Sequence, residues 1–281
     1  MKAIRGAASE ALNDALIAIV EAGRPVTVRQ VFYQVVVQGL IEKSEAGCKA
    51  IGGRLTRLRY DGTIAYEDIV DLGRRVHVPY TDDSVATALD DTATRYRRDP
   101  WPDAESQPII LIEKEGLVSV IEPVTDEWCV PVYPVRGDMS VSFKHELAEA
   151  IDRLTDPHVY YLGDHDPKGE RISVVIERDL REKFDVACAF ERIALTPEQI
   201  AEHDLPTRPT KRNPMDRVAP GFKGRSTELD ALPAAVLRDL VATAITRHVE
   251  ADYFDEFREA EAAERKTLRD LAARYRRRRR R

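Results

Sequence analysis

Apolar positions recur at three- and four-residue spacing over residues 7–22, where Ala11, Leu12, Ala15, Leu16, Ile19 and Val20 share one helical side; Gly23 and Pro25 end the pattern. Thr27 stands as the N-cap of a second predicted helix over 28–38, closed by Gly39. After a loop around Ser44, a third helix is predicted over 45–60. The stretch DGTIAYEDIV then gives a turn signal at Asp61-Gly62 and a short apolar alternation, which predicts a small β-hairpin. Three helices and a hairpin follow the order of a winged helix-turn-helix domain, whose third helix enters the major groove of DNA. We assign residues 1–80 to this domain.

The composition changes over 81–107, where one predicted helix (83–97) leads into an acidic connector rich in proline, read as a linker. From 108 to 200 short apolar runs alternate with helical patterns. The runs are PIILI, CVPVYPV, HVYYL and VACAF with the residues after it; helices are predicted between them over 116–122, 142–154 and 170–183. Such alternation predicts an α/β domain with a parallel, Rossmann-like sheet, whose functional groups gather beyond the carboxyl ends of its strands. Glu113, Gly137, Asp164 and Asp166 fall there. Residues 201–281 form a C-terminal extension: a long loop over 205–225 rich in proline and basic residues, a capped helix beginning at STELDAL, and a long charged helix from Ala251 into an arginine tail expected to be disordered without a partner.

Composition changes this picture little. The formal net charge is −6, but without the seven arginines at 274 and 276–281 the balance is 36 basic to 49 acidic side chains, so an acidic body carries a basic tail. The field at the contact, not the total charge, decides nucleic-acid binding. Lys49, Arg54, Arg57 and Arg59 on the third helix are candidate phosphate contacts, with Arg74 and Arg75 beyond the wing; a solvated basic surface is the alternative. No stretch reaches the ~20 apolar residues of a membrane span, and the N-terminus does not read as a signal peptide, so a cytoplasmic protein is expected. Cys48, Cys129 and Cys188 match no metal-ligand spacing and are expected to be buried thiols.

The chemistry is concentrated at VYYLGDHDPKG, where an apolar run gives way to Asp164, Asp166, Pro167 and Gly169. Two strand-end carboxylates one residue apart, with Glu113 at the end of an earlier run, form a candidate Mg2+ site, since Mg2+ takes carboxylate, water and phosphate oxygens. Carboxylates packed this closely repel unless a cation is shared. His165 lies between the aspartates and is read as a neighbour, not a ligand.

IEKEGL together with GDHDPKG resembles the Toprim domain of topoisomerases, bacterial primases and some nucleases. Glu113-Lys114 followed by Asp164-x-Asp166-Pro167-x-Gly169 is most similar to the A subunit of type IIB topoisomerases (topoisomerase VI) and the related meiotic double-strand-break proteins. That family carries a nucleophilic tyrosine in a winged-helix domain, within an Arg-acidic-x-aromatic-Tyr motif. Arg29, Gln30, Val31, Phe32 and Tyr33 match it, with Gln30 in place of the acid. STELDAL, with Glu228, resembles a segment near the end of the family's Toprim domain, and the likeness spans roughly residues 25–240 in the family's domain order.

The resemblance implies Mg2+-dependent cleavage of double-stranded DNA by tyrosine transesterification. It also implies a homodimer in which the tyrosine of one subunit meets the metal of the other. No GxxxxGK[ST] phosphate loop is present, so an ATP-driven cycle would require a separate ATPase B-type subunit. Two other readings stay open: a Toprim nuclease using a metal-activated water with Tyr33 as core, and a non-catalytic DNA-binding module. Tyr33 lies in VRQVFYQVVVQGLI, a segment apolar on nearly every side, where an aromatic ordinarily packs in a core.

Overall fold

The computed structural model describes residues 2–70, 79–137, 139–210, 222, 224–249 and 251–278. The chain begins with α1 (Lys2–Gly23), α2 (Val28–Val37) and α3 (Glu45–Tyr60). The second starts where the sequence demands it. Thr27 accepts from the Gln30 amide N–H at 3.1 Å, and the Gln30 side chain accepts from the Thr27 amide at 3.0 Å, a reciprocal capping box. Gln30 thus has a local use of its own at the position where the family motif carries an acid. Val31, Phe32, Tyr33 and Val35 are buried against Leu16, Val20, Ile51 and Leu55 in one core.

The predicted hairpin is not formed over 61–70. A turn at Asp61-Gly62 runs into a single 3-10 turn (Tyr66–Asp68), and Ile69 makes an isolated parallel bridge to Val26. The Val26 amide donates to the Asp68 carbonyl at 3.0 Å and the Val70 amide to the Val26 carbonyl at 2.9 Å, so this strand-like stretch pairs with the α1–α2 connection. Arg74 and Arg75 lie outside the described residues.

The expected linker holds α4 (Val85–Arg95) and is packed. Its partner is the C-terminal helix, Ala251–Arg278.

Among the described residues four strands form one parallel sheet: β1 (Gln107–Ile112), β2 (Val132–Pro134), β3 (Pro157–Leu162) and β4 (Ala189–Ala194), in the order β2-β1-β3-β4. The crossovers are α5 (Val118–Glu127), α6 (Val141–Asp152) and α7 (Pro167–Lys183). This is the alternation predicted for 108–200, and the fold is mixed α/β with a parallel sheet. The two-residue period of a strand assigns each side chain to a face. Ile110, Ile112, Tyr160 and Leu162 join a core shared with the N-terminal helices, while Ile109, Leu111, Val159 and Tyr161 face Leu147, Ile151, Ile172 and Ile176 of α6 and α7.

Beyond β4 come α8 (Pro197–Glu202) and a short antiparallel pair, β5 (Arg208–Pro209) with β6 (Arg225–Ser226). The helix expected to begin at STELDAL starts later, as α9 (Ala234–Thr246) after Pro233. Thr227 is held in a backbone bridge to His165, with both N–H···O bonds at 2.9 Å, and Leu229–Ala231 make one 3-10 turn. Extended backbone at 227 cannot be the first turn of a helix, and the proline sets the later start. Helix α9 packs against α1, α5, β1 and β4 and joins the N-terminal helices to the sheet.

The final helix, α10 (Ala251–Arg278), lies antiparallel on α4. The Tyr96 hydroxyl donates to Glu264 at 2.7 Å, Arg97 pairs with Glu261 at 3.2 Å, and near the other end Arg276 pairs with Asp90. The basic tail expected to be disordered is therefore helical through Arg278. Among the described residues no helix is long and apolar enough to cross a membrane. The three cysteines are free and half-buried instead of fully buried.

Candidate functional site

The carboxyl edge of the sheet collects charged groups from four parts of the chain. Glu113 and Lys114 follow β1, and Asp164 follows β3. Two glycines allow the second segment its path. A Cβ at Gly163 would run into the Tyr161 ring, and one at Gly169 would run into the Asp164 carbonyl. Beneath the loop, Arg192 of β4 donates to the carbonyls of Asp164 at 2.5 Å, Gly163 at 3.1 Å and Gly169 at 3.2 Å.

Glu113 and Asp164 meet as predicted. The Asp164 amide donates to Glu113 Oε2 at 3.0 Å, and the Tyr161 hydroxyl donates to the same oxygen at 3.4 Å. Burial, then the neighbouring Asp164 charge, push the Glu113 carboxyl above its ordinary pKa. Burial also pushes Asp164 up, against the pull of Lys114 and of the Leu229 amide, which donates to Asp164 Oδ1 at 2.8 Å. Asp166 is used differently: it is the N-cap of α7, accepting from the Gly169 amide at 2.8 Å. Among the described residues no three His, Cys, Asp or Glu side chains assemble into one group that could hold a metal ion. The predicted trio is thus two carboxylates together and one drawn to a helix terminus. The donor chemistry still suits a hard cation, because Glu113 feels both aspartates as repulsion. His165, between the aspartates, has Nδ1 3.4 Å from Glu170 Oε1 and its ring against Phe222.

Lys114, Glu228 and Asp230 complete the site and were not singled out as site residues from the sequence. Lys114 Nζ lies 3.0 Å from Asp164 Oδ1, 2.6 Å from Asp230 Oδ2 and 3.3 Å from Glu228 Oε2. Burial opposes the ammonium, but Asp230, Asp164 and Glu228 outweigh it and hold its pKa above the ordinary lysine value. Burial likewise opposes the Glu228 carboxylate, and Lys114, Arg29, Tyr33 and Arg208 overcome it, pulling its pKa down to about 2. The available signals were Lys114 beside the strand-end Glu113 and the quoted STELDAL segment; its expected helical conformation would have pointed the acids elsewhere.

Helix α2 closes the site. Arg29 and Tyr33 are one helical turn apart and so share a face. Arg29 pairs with Glu228 and lies 3.6 Å from Asp230. Glu228 and Arg29 are the charged side chains that act on the Tyr33 hydroxyl. Tyr33 is only 2% exposed, packed edge-on to Phe32 with the Lys43 ammonium 4.7 Å above its ring. Burial, then the Glu228 charge, push its pKa up to about 12. The residues that the sequence put in two domains are therefore in one site within a single chain, whereas the family likeness implied that tyrosine and metal meet across two subunits.

The predicted basic helix is divided. Lys49 pairs with Glu45 at 2.8 Å in solvent, and Arg57 is exposed. Arg54 turns back onto α1, donating to Ser9 Oγ at 2.9 Å and Asn13 Oδ1 at 3.0 Å; Arg59 donates to the Tyr66 carbonyl at 3.0 Å. Comparison with protein-family models finds no match to this chain, and comparison with curated protein sequences likewise finds no match.

Proposed function

We propose that the protein cleaves double-stranded DNA by Mg2+-dependent tyrosine transesterification, as an enzyme similar to the type IIB topoisomerase A subunit. The observation that carries this reading is the meeting of Arg29 and Tyr33 from α2 with Lys114, Glu228 and Asp164 at the carboxyl edge of the sheet. A nucleophile from one element, cations for a phosphate and acids for a metal are the parts such a reaction needs. Glu113, Asp164 and Asp166 are the residues that would hold Mg2+, which when bound neutralises charge on the phosphate oxygens and the leaving group.

In the step itself the Tyr33 oxygen bonds to phosphorus and the bond from phosphorus to one sugar oxygen breaks. The phenol proton passes to solvent, Glu228 fixes the cations around the nucleophile, and the departing sugar oxygen takes a proton from solvent. Arg29 offsets the phosphate charge beside the nucleophile. Two copies of the chain would supply paired cuts. Strand passage driven by ATP would need a separate ATPase subunit.

One observation favours a second reading. A phenol that is 2% exposed, with its pKa raised to about 12, is a poor nucleophile in this arrangement, which suits hydrolysis by a metal-activated water. Incubation with supercoiled plasmid and Mg2+, followed by denaturation, separates the two. Protein attached to broken ends in the wild type, and absent from Tyr33→Phe and Asp164→Ala, is expected. Attachment that persists in Tyr33→Phe would exclude the transesterification, and breakage without attachment selects hydrolysis.

A further inference from the structure

Three cations from separate elements gather around Tyr33 and Glu228. Arg29 comes from α2, Lys43 from the α2–α3 connection and Arg208 from β5. Arg29 and Arg208 both pair with Glu228, the latter at 3.2 Å, and their side chains are 54% and 45% exposed, against 7% for the carboxylate beneath them. Lys43 is exposed too; among the described residues it has no carboxylate within ion-pair distance, and it stands over the Tyr33 ring. The site is therefore layered. Its floor carries Glu113, Asp164, Asp230 and Lys114, and its mouth carries three cations over Glu228, of which only Arg29 also reaches a floor acid, Asp230. Desolvation, with repulsion from Arg208, Arg29 and Lys114, outweighs the pull of Glu228 and holds the Lys43 pKa below the ordinary lysine value.

We infer that Lys43, Arg29 and Arg208 form a phosphodiester-binding rim, in which a backbone phosphate of a nucleic acid replaces Glu228 as the counter-ion of the two arginines, supplies one to Lys43, and is thereby placed beside Tyr33. Arginine forks and a lysine point charge suit phosphate oxygens. A phosphodiester carries a single negative charge, which suits a site with an acidic floor better than the dianion of a terminal phosphate does. This inference rests on the proposed DNA substrate and extends it to Lys43 and Arg208, neither of which was read from the sequence as a site residue.

The test is equilibrium binding of a fluorescent 30-base-pair duplex without Mg2+ across a salt series. It compares wild type, Lys43→Ala, Lys43→Arg, Arg208→Ala and Tyr33→Phe, and a thermal-shift titration with inorganic phosphate runs alongside. Both alanine changes lie at exposed side chains, and thermal melting equal to wild type checks the fold. The expected result is about fivefold or greater weakening in Lys43→Ala and Arg208→Ala. Their logarithmic salt slopes should fall by about one, Lys43→Arg should recover, and Tyr33→Phe should bind as wild type. Unchanged affinity and slope in both alanine variants overturns the rim. If wild type binds no duplex but phosphate raises its melting temperature in a way that Lys43→Ala and Arg208→Ala abolish, the rim stands and the DNA substrate fails. If neither probe binds, both fail.

Discussion

Glu228 is the residue on which the site closes, because it pairs with Arg29, Lys114 and Arg208 at once and its charge acts on Tyr33. Its pKa near 2 against an ordinary 4.5 makes it a stabilising group whose sign follows from linkage. A depressed carboxyl contributes fully above the unfolded pKa, and that contribution is lost as pH falls from about 4.5 towards 2. Glu113 and Asp164 act oppositely, since their raised pKa values relieve strain on protonation. Glu228→Gln is therefore expected to destabilise the fold by on the order of 2 kcal/mol at pH 7, after allowing for solvent screening at the exposed rim. The gap to wild type should narrow markedly at pH 3. Urea unfolding at the two pH values measures this, and a gap unchanged with pH would show that the carboxylate charge is not what stabilises.

Helix α2 owes its start to local chemistry that also aims its chemical groups. The Thr27–Gln30 capping box fixes the first turn, and that turn carries Arg29. Thr27→Ala is expected to cost about 1 kcal/mol, seen as a lower urea midpoint with an unchanged slope. A changed slope would instead mean that the docking of α2 on the rest of the core had been lost. The segment at 225–231 shows the opposite case. Its acids and later apolar run read as a helix, yet Thr227 is drawn into a backbone bridge with His165, a residue 62 positions away in sequence. That bridge sets Leu229 to donate to Asp164 and turns Glu228 and Asp230 into the site.

At the scale of the molecule, the N-terminal helices and the sheet share one core through α9, and Tyr33 meets its own chain's acids. A mixture of Tyr33→Phe and Asp164→Ala proteins is accordingly expected to recover no covalent cleavage. Each subunit of a mixed pair would lack one part of its own site. Recovery to a substantial fraction of wild type would instead show that tyrosine and acids combine between copies, as the family likeness implies.

The order of elements was legible in the sequence because each rests on local periodicity and punctuation. The apolar spacing of 7–22, the Thr27 cap and the four runs from PIILI to VACAF mark helices and strands with little help from the rest of the chain. The meeting of Glu113 with Asp164 was legible for the same reason, since adjacent parallel strands end at one edge. What the tertiary structure alone decided depends on contacts between distant segments. The bridge at Thr227 is one, the pairing of Val26 with Ile69 in place of a hairpin another, and the docking of α4 on α10 a third. Lys114, Glu228 and Asp230 entered the site by that route, because a charged side chain takes its place from the opposite charges that the fold brings near it, which no spacing along the chain records.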